Sequence, residues 1–464
     1  MKILTNTKNI KFLFSLLWVF FIARMTSYID IEATIFQTSD RSWVYWLMDM
    51  LSITINGGLL VVLSANLFIQ KKIPSCVILL IYPIFGLFGY LTTSEMHLTN
   101  FFVVHHFITL TSFFLFFSII ISNSMFDYKF QELLLKIIFL FIIALFIFSV
   151  FPNTIEKIYK TIDLRHTHTA IFSVFGTEVT FQQNINGQAR IFLIMQIFFL
   201  ILFLKFILNK SIVAIVFFSI SVLCLSVIFF AQSRFNLIIS FIFSYLLLFK
   251  DNNLNLKKKI FCILVITIIP LLSSQIYSKQ SNRFVALEMD RYGEDKLLLN
   301  QRYNDNISTK NNDQISTKNN DQMVCSPSLN YLDTLLSGRL CGWEILLKSI
   351  KTNDLLFGKG FFADQVVLKH YEKTSSNSWI NIFFNAGIVS LLICFLFVII
   401  IFLKYFKIKN MNHTNIYISC AHCLFLYILL RSLFEDTLAF VNIDLLLLGI
   451  CTLIVVTTGK KNKI

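Results

Sequence analysis

About twelve long apolar stretches run through this chain of 464 residues, and they constrain its fold more than any other feature. A helix needs about 20 mostly apolar residues to cross a bilayer, and most of the stretches approach that length. They are continuously apolar, which favours helices over the alternating strands of a barrel. A composition of 56% apolar and 14% charged residues excludes a cytosolic enzyme. The stretches are approximately 10–27, 46–69, 75–92, 101–122, 133–151, 191–209, 211–230, 235–249, 260–277, 381–403, 414–433 and 438–458.

The spacing of these stretches predicts an all-α polytopic membrane protein with about 12 transmembrane helices. Helices 1–9 would occupy residues 1–277, which include an outer segment at 152–190. Helices 10–12 would occupy residues 381–464. The intervening residues 278–380 are too many for a simple connection, so they are predicted to form one large outer loop between helices 9 and 10.

The large loop divides into two parts of different composition. The octapeptide Ile-Ser-Thr-Lys-Asn-Asn-Asp-Gln occurs twice in succession, at 307–314 and 315–322, and such a polar stretch cannot bury a core. We interpret residues 304–323 as a flexible insertion without a catalytic role. Farther on, apolar residues recur at three- and four-residue spacing, which predicts an amphipathic helix at the membrane interface over about 338–351.

The distribution of cations predicts the orientation of the chain. Cytoplasmic loops are rich in Lys and Arg. With the N-terminus inside, the short inner segments hold 19 lysines, whereas the short outer segments hold eight cations. Both termini are therefore predicted to be cytoplasmic. The net charge of +14 follows largely from this bias, so it gives no reason to infer nucleic-acid binding.

Arginine has a distribution of its own, because all ten arginines fall on the predicted outer side. The preference for cytoplasmic cations cannot explain them. Arginine differs from lysine in its planar fork, which grips phosphate or carboxylate in a bidentate manner. Some of the ten are expected to be ordinary loop residues or partners of nearby acids. A functional role is favoured for the four near helix ends, namely Arg190, Arg234, Arg339 and Arg431.

Several short motifs follow one another along the chain. Ser233-Arg234 opens a predicted helix, and Asn385-Ala-Gly387 lies just inside the tenth. The others are the stretch from Gly176 to Arg190, Ser337-Gly-Arg339-x3-Trp343, Leu356-Phe-Gly-Lys-Gly360, Ser376-Asn-Ser-Trp-Ile380 and Arg431-Ser-Leu-Phe-Glu435. In this order and topology the chain resembles the O-antigen polymerase (Wzy) and O-antigen ligase superfamily of bacterial inner-membrane glycosyltransferases.

The resemblance implies a GT-C-like enzyme of lipopolysaccharide biosynthesis whose substrates are glycans on undecaprenyl pyrophosphate. Polymerases of this family transfer the growing chain onto the next carrier-linked repeat unit at the periplasmic face, whereas ligases transfer it to lipid A–core. Ligases typically place a histidine beside the asparagine of the last loop motif. Here Ser376 precedes Asn377, and the nearest histidine is His370, which favours a polymerase. A flippase and a Wzz-like chain-length regulator are the implied protein partners, and no cofactor is implied.

The expected chemistry assigns a role to each candidate residue. Fixed cations can stabilise the charge that develops on departing pyrophosphate without a metal ion. The expected clamp consists of Arg190, Arg234, Arg339 and Arg431, of which Arg234 and Arg339 are the catalytic candidates. Glu435 is the preferred acceptor for the proton of the attacking hydroxyl, with Asp436, Glu344 and His370 as weaker choices; an ion pair between Glu435 and Arg431 is the structural alternative. Trp343, Asn377 and His370 are expected to contact the glycan.

Two other functions compete with this interpretation. Asp30 and Glu32 are close enough in sequence to hold a divalent ion in a metal-dependent glycosyltransferase. A lipid-linked oligosaccharide flippase would instead use Asp49, His105 and His106 within the membrane. Whether Cys325 and Cys341 form a disulfide on the outer side stays open at this point.

Overall fold

The computed structural model describes most of the apolar stretches and several parts of the two long segments 152–190 and 278–380. The described residues are 7–24, 43–70, 75–92, 100–122, 126–152, 154–155, 169–174, 177–181, 185–207, 212–230, 233–251, 254–292, 339–369, 377–406, 416–435, 438 and 442–461. The polar repeat at 304–323, together with Asp30, Glu32, Cys325 and His370, lies outside them.

The described chain is helical apart from one hairpin. Nine helices precede the large loop: α1 Thr7–Arg24, α2 Trp43–Gln70, α3 Ile81–Thr92, α4 Asn100–Ser122, α5 Tyr128–Leu145, α6 Ile185–Phe206, α7 Ile212–Phe230, α8 Arg234–Lys250 and α9 Leu256–Tyr292. Two short helices lie within the loop, α10 Arg339–Ser349 and α11 Ala363–Lys369. Three helices follow it: α12 Ser378–Phe406, α13 Ile416–Ser432 and α14 Ile443–Lys461. A 3-10 turn, Ser75–Leu80, precedes α3, and a π turn, Phe146–Val150, ends α5.

The helices have the length and apolar character of a membrane protein. Among the described residues, five stretches are long and apolar enough to cross a membrane: Val103–Ile121, Tyr128–Phe148, Ala189–Phe206, Ile212–Phe230 and Ser378–Tyr405. Large apolar side chains also face outward, with Phe12 71% and Ile212 78% exposed. Such surfaces are stable in lipid and not in water. Helices α1–α9 and α12–α14 overlap the apolar stretches of the sequence, and twelve crossings stay a prediction.

Two features of the fold were not predicted from the sequence. The strands β1 Thr169–Val174 and β2 Thr177–Phe181 form an antiparallel hairpin within the outer segment 152–190. In addition, α9 continues to Tyr292, well beyond the predicted end of its apolar stretch at 277. Helical geometry does not require apolar side chains, and the first glycine after the apolar stretch is Gly293, where a helix ends easily.

Polar side chains inside the bundle join neighbouring helices. The indole N–H of Trp18 in α1 donates to the Leu134 carbonyl of α5 at 2.8 Å. Gln196 of α6 bonds to two serines of α8, accepting from Ser240 Oγ and donating to Ser244 Oγ at 2.7 Å. Interhelical hydrogen bonds of this kind fix helix rotation where lipid offers no polar partner.

The two ends of the bundle carry different cations. At one end, Lys11 of α1 forms a 3.1 Å ion pair with Asp127, which caps the start of α5. The amine of Lys259 in α9 donates there to the Phe249 carbonyl at the end of α8. The opposite end, where α6, α8 and α14 begin and α13 ends, carries Arg190, Arg234 and Arg431. We call it the arginine end.

Candidate active site at the arginine end

Two arginines from different helices meet on one buried carboxylate. Arg190 Nη1 of α6 donates to Asp444 Oδ2 of α14 at 3.0 Å. The Nε of Arg431, in the last turn of α13, lies 3.5 Å from the same oxygen. The side chains of Asp444 and Arg431 are only 1% and 5% exposed. Because Asp444 occupies the first turn of α14, the dipole of that helix also favours its negative charge.

A chain of hydrogen bonds links Arg431 to the start of α8. Arg431 Nη1 donates to the Tyr427 hydroxyl at 2.9 Å, and that hydroxyl donates to Asn236 Oδ1 at 3.0 Å. Asn236 Nδ2 in turn donates to Ser233 Oγ at 2.8 Å. Ser233 directly precedes Arg234, the first residue of α8. The backbone of Arg234 is therefore held close to the other arginines, while its side chain is outside the described part.

The third arginine reaches the same region from the long segment between α9 and α12. Arg339, the first residue of α10, donates from Nη1 to the Phe434 carbonyl at 2.6 Å and from Nη2 to Glu435 Oε1 at 2.9 Å. Both side chains of this ion pair are largely buried, at 15% and 16% exposed. Glu435 thus forms an ion pair with Arg339, whereas the sequence alternative pairs it with Arg431. The Glu435 amide nevertheless donates to the Arg431 carbonyl at 2.9 Å, so the two groups are neighbours.

The last loop motif fastens the start of α12 to the same segment. Asn377 caps α12, because its Oδ1 accepts from the amides of Trp379 and Ile380 at 2.9 and 3.0 Å. Its Nδ2 donates to the Leu433 carbonyl at 2.7 Å. Ser378 Oγ donates to the Glu435 carbonyl at 2.7 Å, and the Trp379 indole donates to Ser432 Oγ at 3.0 Å. Asn377 therefore has a demonstrated structural role at a position where a glycan contact is expected.

The glycine motifs form a second junction, between a loop that precedes α12 and a break in α12 itself. We call residues 355–361 the inserted loop, because it packs between α3 and α12. The amides of Lys359 and Gly360 donate to the carbonyls of Phe384 and Asn385 at 2.8 and 2.9 Å. Ile388 N donates to the Leu355 carbonyl at 2.8 Å. These bonds replace helical bonds that α12 loses at Gly387, where φ is +77°.

The glycines of this junction leave no room for a side chain. A Cβ on Gly387 would collide with the Leu356 carbonyl, and one on Gly360, where φ is +96°, would collide with the Tyr90 backbone. On the facing side of the inserted loop, the His106 ring lies 4.7 Å from that of Phe361 and 5.0 Å from that of Phe362. His106 of α4 thus packs on the loop as a structural contact, while the side chain of Asp49 is outside the described residues.

The remaining candidates have different positions. Trp343 lies one turn after Arg339 on α10 and is half-buried, and Glu344 forms an ion pair with Lys348 at 2.6 Å. His370 and Asp436 fall outside the described residues, as do Asp30 and Glu32 of the metal alternative. Cys341 is disulfide-bonded. The cysteines whose side chains are described are otherwise free, so its partner lies outside that set, and the question of pairing with Cys325 stays open.

Sequence reasoning missed Asp444, Tyr427 and Asn236. Asp444 was detectable, since a carboxylate inside a predicted transmembrane stretch is costly unless a cation partners it. Tyr427 and Asn236 gave no such signal, because a hydroxyl and an amide within a helix are common in membrane proteins. Comparisons with known protein families, with curated proteins and with solved structures find no match to this chain.

The arrangement is suited to binding an anion. We call Arg190, Arg339 and Arg431, with Asp444 and Glu435, the arginine cluster; these five groups sum to a formal charge of +1. Each guanidinium is held in position by a protein acceptor, so the cations are already gathered when a charged ligand arrives. Among the described residues, no group of three or more His, Cys, Asp or Glu side chains is placed to hold a metal ion.

Proposed function

We propose that this chain is a glycosyltransferase that polymerises saccharide repeat units carried on undecaprenyl pyrophosphate, as an O-antigen polymerase does. It would act at the periplasmic face of a bacterial inner membrane, cross that membrane twelve times and keep both termini in the cytoplasm. The observation that supports this most is that Arg190 and Arg339 both bond to the short segment 431–444, which itself carries Arg431. The motifs behind the resemblance also contact one another, although they are distant in sequence.

The proposed reaction needs charge stabilisation more than covalent chemistry. The hydroxyl of the acceptor saccharide attacks the anomeric carbon of the donor glycan, and the bond from that carbon to pyrophosphate oxygen breaks. The electron pair of this bond leaves with the lipid pyrophosphate, whose growing negative charge the arginine cluster would stabilise. Glu435 is the proposed acceptor of the hydroxyl proton, since it is the carboxylate that Arg339 holds beside the cluster.

Reconstitution tests the function directly. Purified protein in liposomes is supplied with carrier-linked repeat units, and the products are separated by gel electrophoresis. We expect a ladder of polymers that forms with or without EDTA. A flippase would be supported if the products contain only one repeat unit and these units have moved between leaflets. A metal-dependent enzyme would be supported if polymer forms only with added Mg²⁺ or Mn²⁺.

A deletion strain separates the polymerase from the ligase. A cell that lacks the polymerase still attaches single repeat units to lipid A–core, whereas a cell that lacks the ligase attaches none. We expect single-unit caps in the deletion strain and long chains after complementation with the wild-type gene. Loss of all caps would assign the chain to the ligases.

A further inference from the structure

The carboxylate of Asp444 is bonded in an unbalanced way. Its Oδ2 receives Arg190 Nη1 at 3.0 Å and lies 3.5 Å from Arg431 Nε. Its Oδ1 is buried and accepts no hydrogen bond from any residue that the structure describes. An ionised carboxylate has about four acceptor positions. The carboxylate of Asp444 therefore uses few of its acceptor positions, although it lies between two guanidiniums.

The bonding of Arg431 to this carboxylate is also incomplete. The Nε of Arg431 is buried and makes no hydrogen bond within the described residues, since its 3.5 Å approach to Asp444 has the distance of an ion pair only. The geometry is thus that of a counter-ion that holds two cations in place without saturating them. A ligand with more acceptor oxygens and more charge would bind the same two guanidiniums more strongly.

We propose that Asp444 is the resting counter-ion of the anion site and is displaced from Arg190 and Arg431 when pyrophosphate binds. This inference rests on the proposed function, from which it takes pyrophosphate as the anion. Asp444 is then a positioning residue that keeps two like charges together between turnovers. When the lipid pyrophosphate dissociates, Asp444 forms its ion pairs with the two guanidiniums again. This competition favours release of the product.

Displacement of an internal competitor has a measurable consequence. A ligand binds with lower apparent affinity when the protein groups that it needs are already occupied in part of the population. Removal of the carboxylate by Asp444→Asn should therefore tighten the binding of inorganic pyrophosphate by about threefold or more. In turnover of carrier-linked repeat units, the same variant should show a lower KM together with a lower kcat, because release slows. A merely structural role would raise KM.

The experiment is calorimetric titration of the purified full-length protein in detergent with inorganic pyrophosphate. Asp354→Asn is the matched control, since it removes one negative charge from the 3-10 turn Thr352–Asp354, where Asp354 faces Lys359 at 3.8 Å. Its affinity should stay within about twofold of wild type. Asp444→Ser is a second variant, which removes the carboxylate with a smaller side chain.

Each result decides the proposal. Tighter binding in the Asp444 variants supports it, and unchanged or weaker binding overturns it, as does a wild-type protein that binds no pyrophosphate. Variants that fold only when purified with excess pyrophosphate also support it, whereas variants that fail to fold even then overturn it. Wild-type protein that forms no polymer, while its Asp444 variants bind pyrophosphate more tightly, would refute the proposed function and leave this inference standing.

Discussion

Arg339 and Glu435 are 96 positions apart in sequence, yet their side chains form an ion pair with an Nη2–Oε1 distance of 2.9 Å. Arg339 also donates to the carbonyl of Phe434, so both edges of the guanidinium hold the segment that follows α13. The pair connects the large loop to the end of the helix bundle, and it does so next to Arg431.

Replacement of Arg339 tests this connection. Arg339→Ala should reduce polymer formation by about 100-fold or more, because it removes a fixed cation and leaves Glu435 without this partner. Arg339→Lys should recover little, since an ammonium cannot reproduce the two-edged contact. Product length on gels, normalised to protein abundance, gives the measurement. Lys348→Ala on the same helix is the control, because the Lys348 side chain is half exposed and pairs with its helix neighbour Glu344, so this variant should keep wild-type activity.

A second prediction concerns the start of α8. Arg234→Ala should abolish long-chain product without loss of protein, as expected for a catalytic cation at the arginine end. Lys257→Ala, in the first turn of α9 at the opposite end of the bundle, is the matched control and should leave chain length unchanged. Near-full activity of both Arg234→Ala and Arg339→Ala would contradict the clamp.

The two functions of Asn377 can be separated by substitution. Asn377→Asp keeps an oxygen that can accept from the amides of Trp379 and Ile380, but it cannot donate to the Leu433 carbonyl. We expect Asn377→Asp to lose activity and also stability, because a carboxylate oxygen would then face the Leu433 carbonyl oxygen. Asn377→Ala should lose activity and also about 1 kcal/mol of stability, because the cap of α12 is removed. Equal activity of the Asp variant and wild type would show that the bond to Leu433 is dispensable.

The break in α12 leads to a stability prediction. Gly387→Ala should lower the free energy of unfolding by at least about 1–3 kcal/mol, since φ at this residue is +77° and the added Cβ would collide with Leu356. Thermal unfolding in detergent measures the change. Gly57→Ala in α2 provides the comparison, because nothing lies within 4 Å of its added Cβ. A similar unfolding temperature for both variants would argue against the tight junction described above.

The polar repeat gives a prediction of tolerance. Deletion of residues 315–322 removes one copy of the octapeptide and leaves the other in place. Polar segments of this composition are expected to contribute little to a folded core, so expression and polymer length should match wild type. Loss of activity would show that the second copy has a function that its composition does not reveal.

The sequence predicted the helical membrane domain well, because a continuous apolar stretch such as 211–230 leaves a helix as the only local solution. It also selected Arg190, Arg339 and Arg431 as residues of interest, from their type and position. It did not predict which acid each arginine meets, since Asp444 and Glu435 approach them only through tertiary packing. The hairpin at 169–181 was missed although its strands are neighbours in sequence, and Gly387 was recognised within a motif without any sign that it breaks α12.

The broken helix α12 also bears on how the chain is made. The carbonyls of Phe384 and Asn385 lack helical partners at the break. They accept hydrogen bonds instead from the amides of Lys359 and Gly360, which precede α12 along the chain. If α12 entered the lipid before residues 355–361 packed against it, these two carbonyls would lie in lipid without hydrogen-bond donors. Stable insertion of α12 is therefore expected to require residues 355–361 to be packed against it.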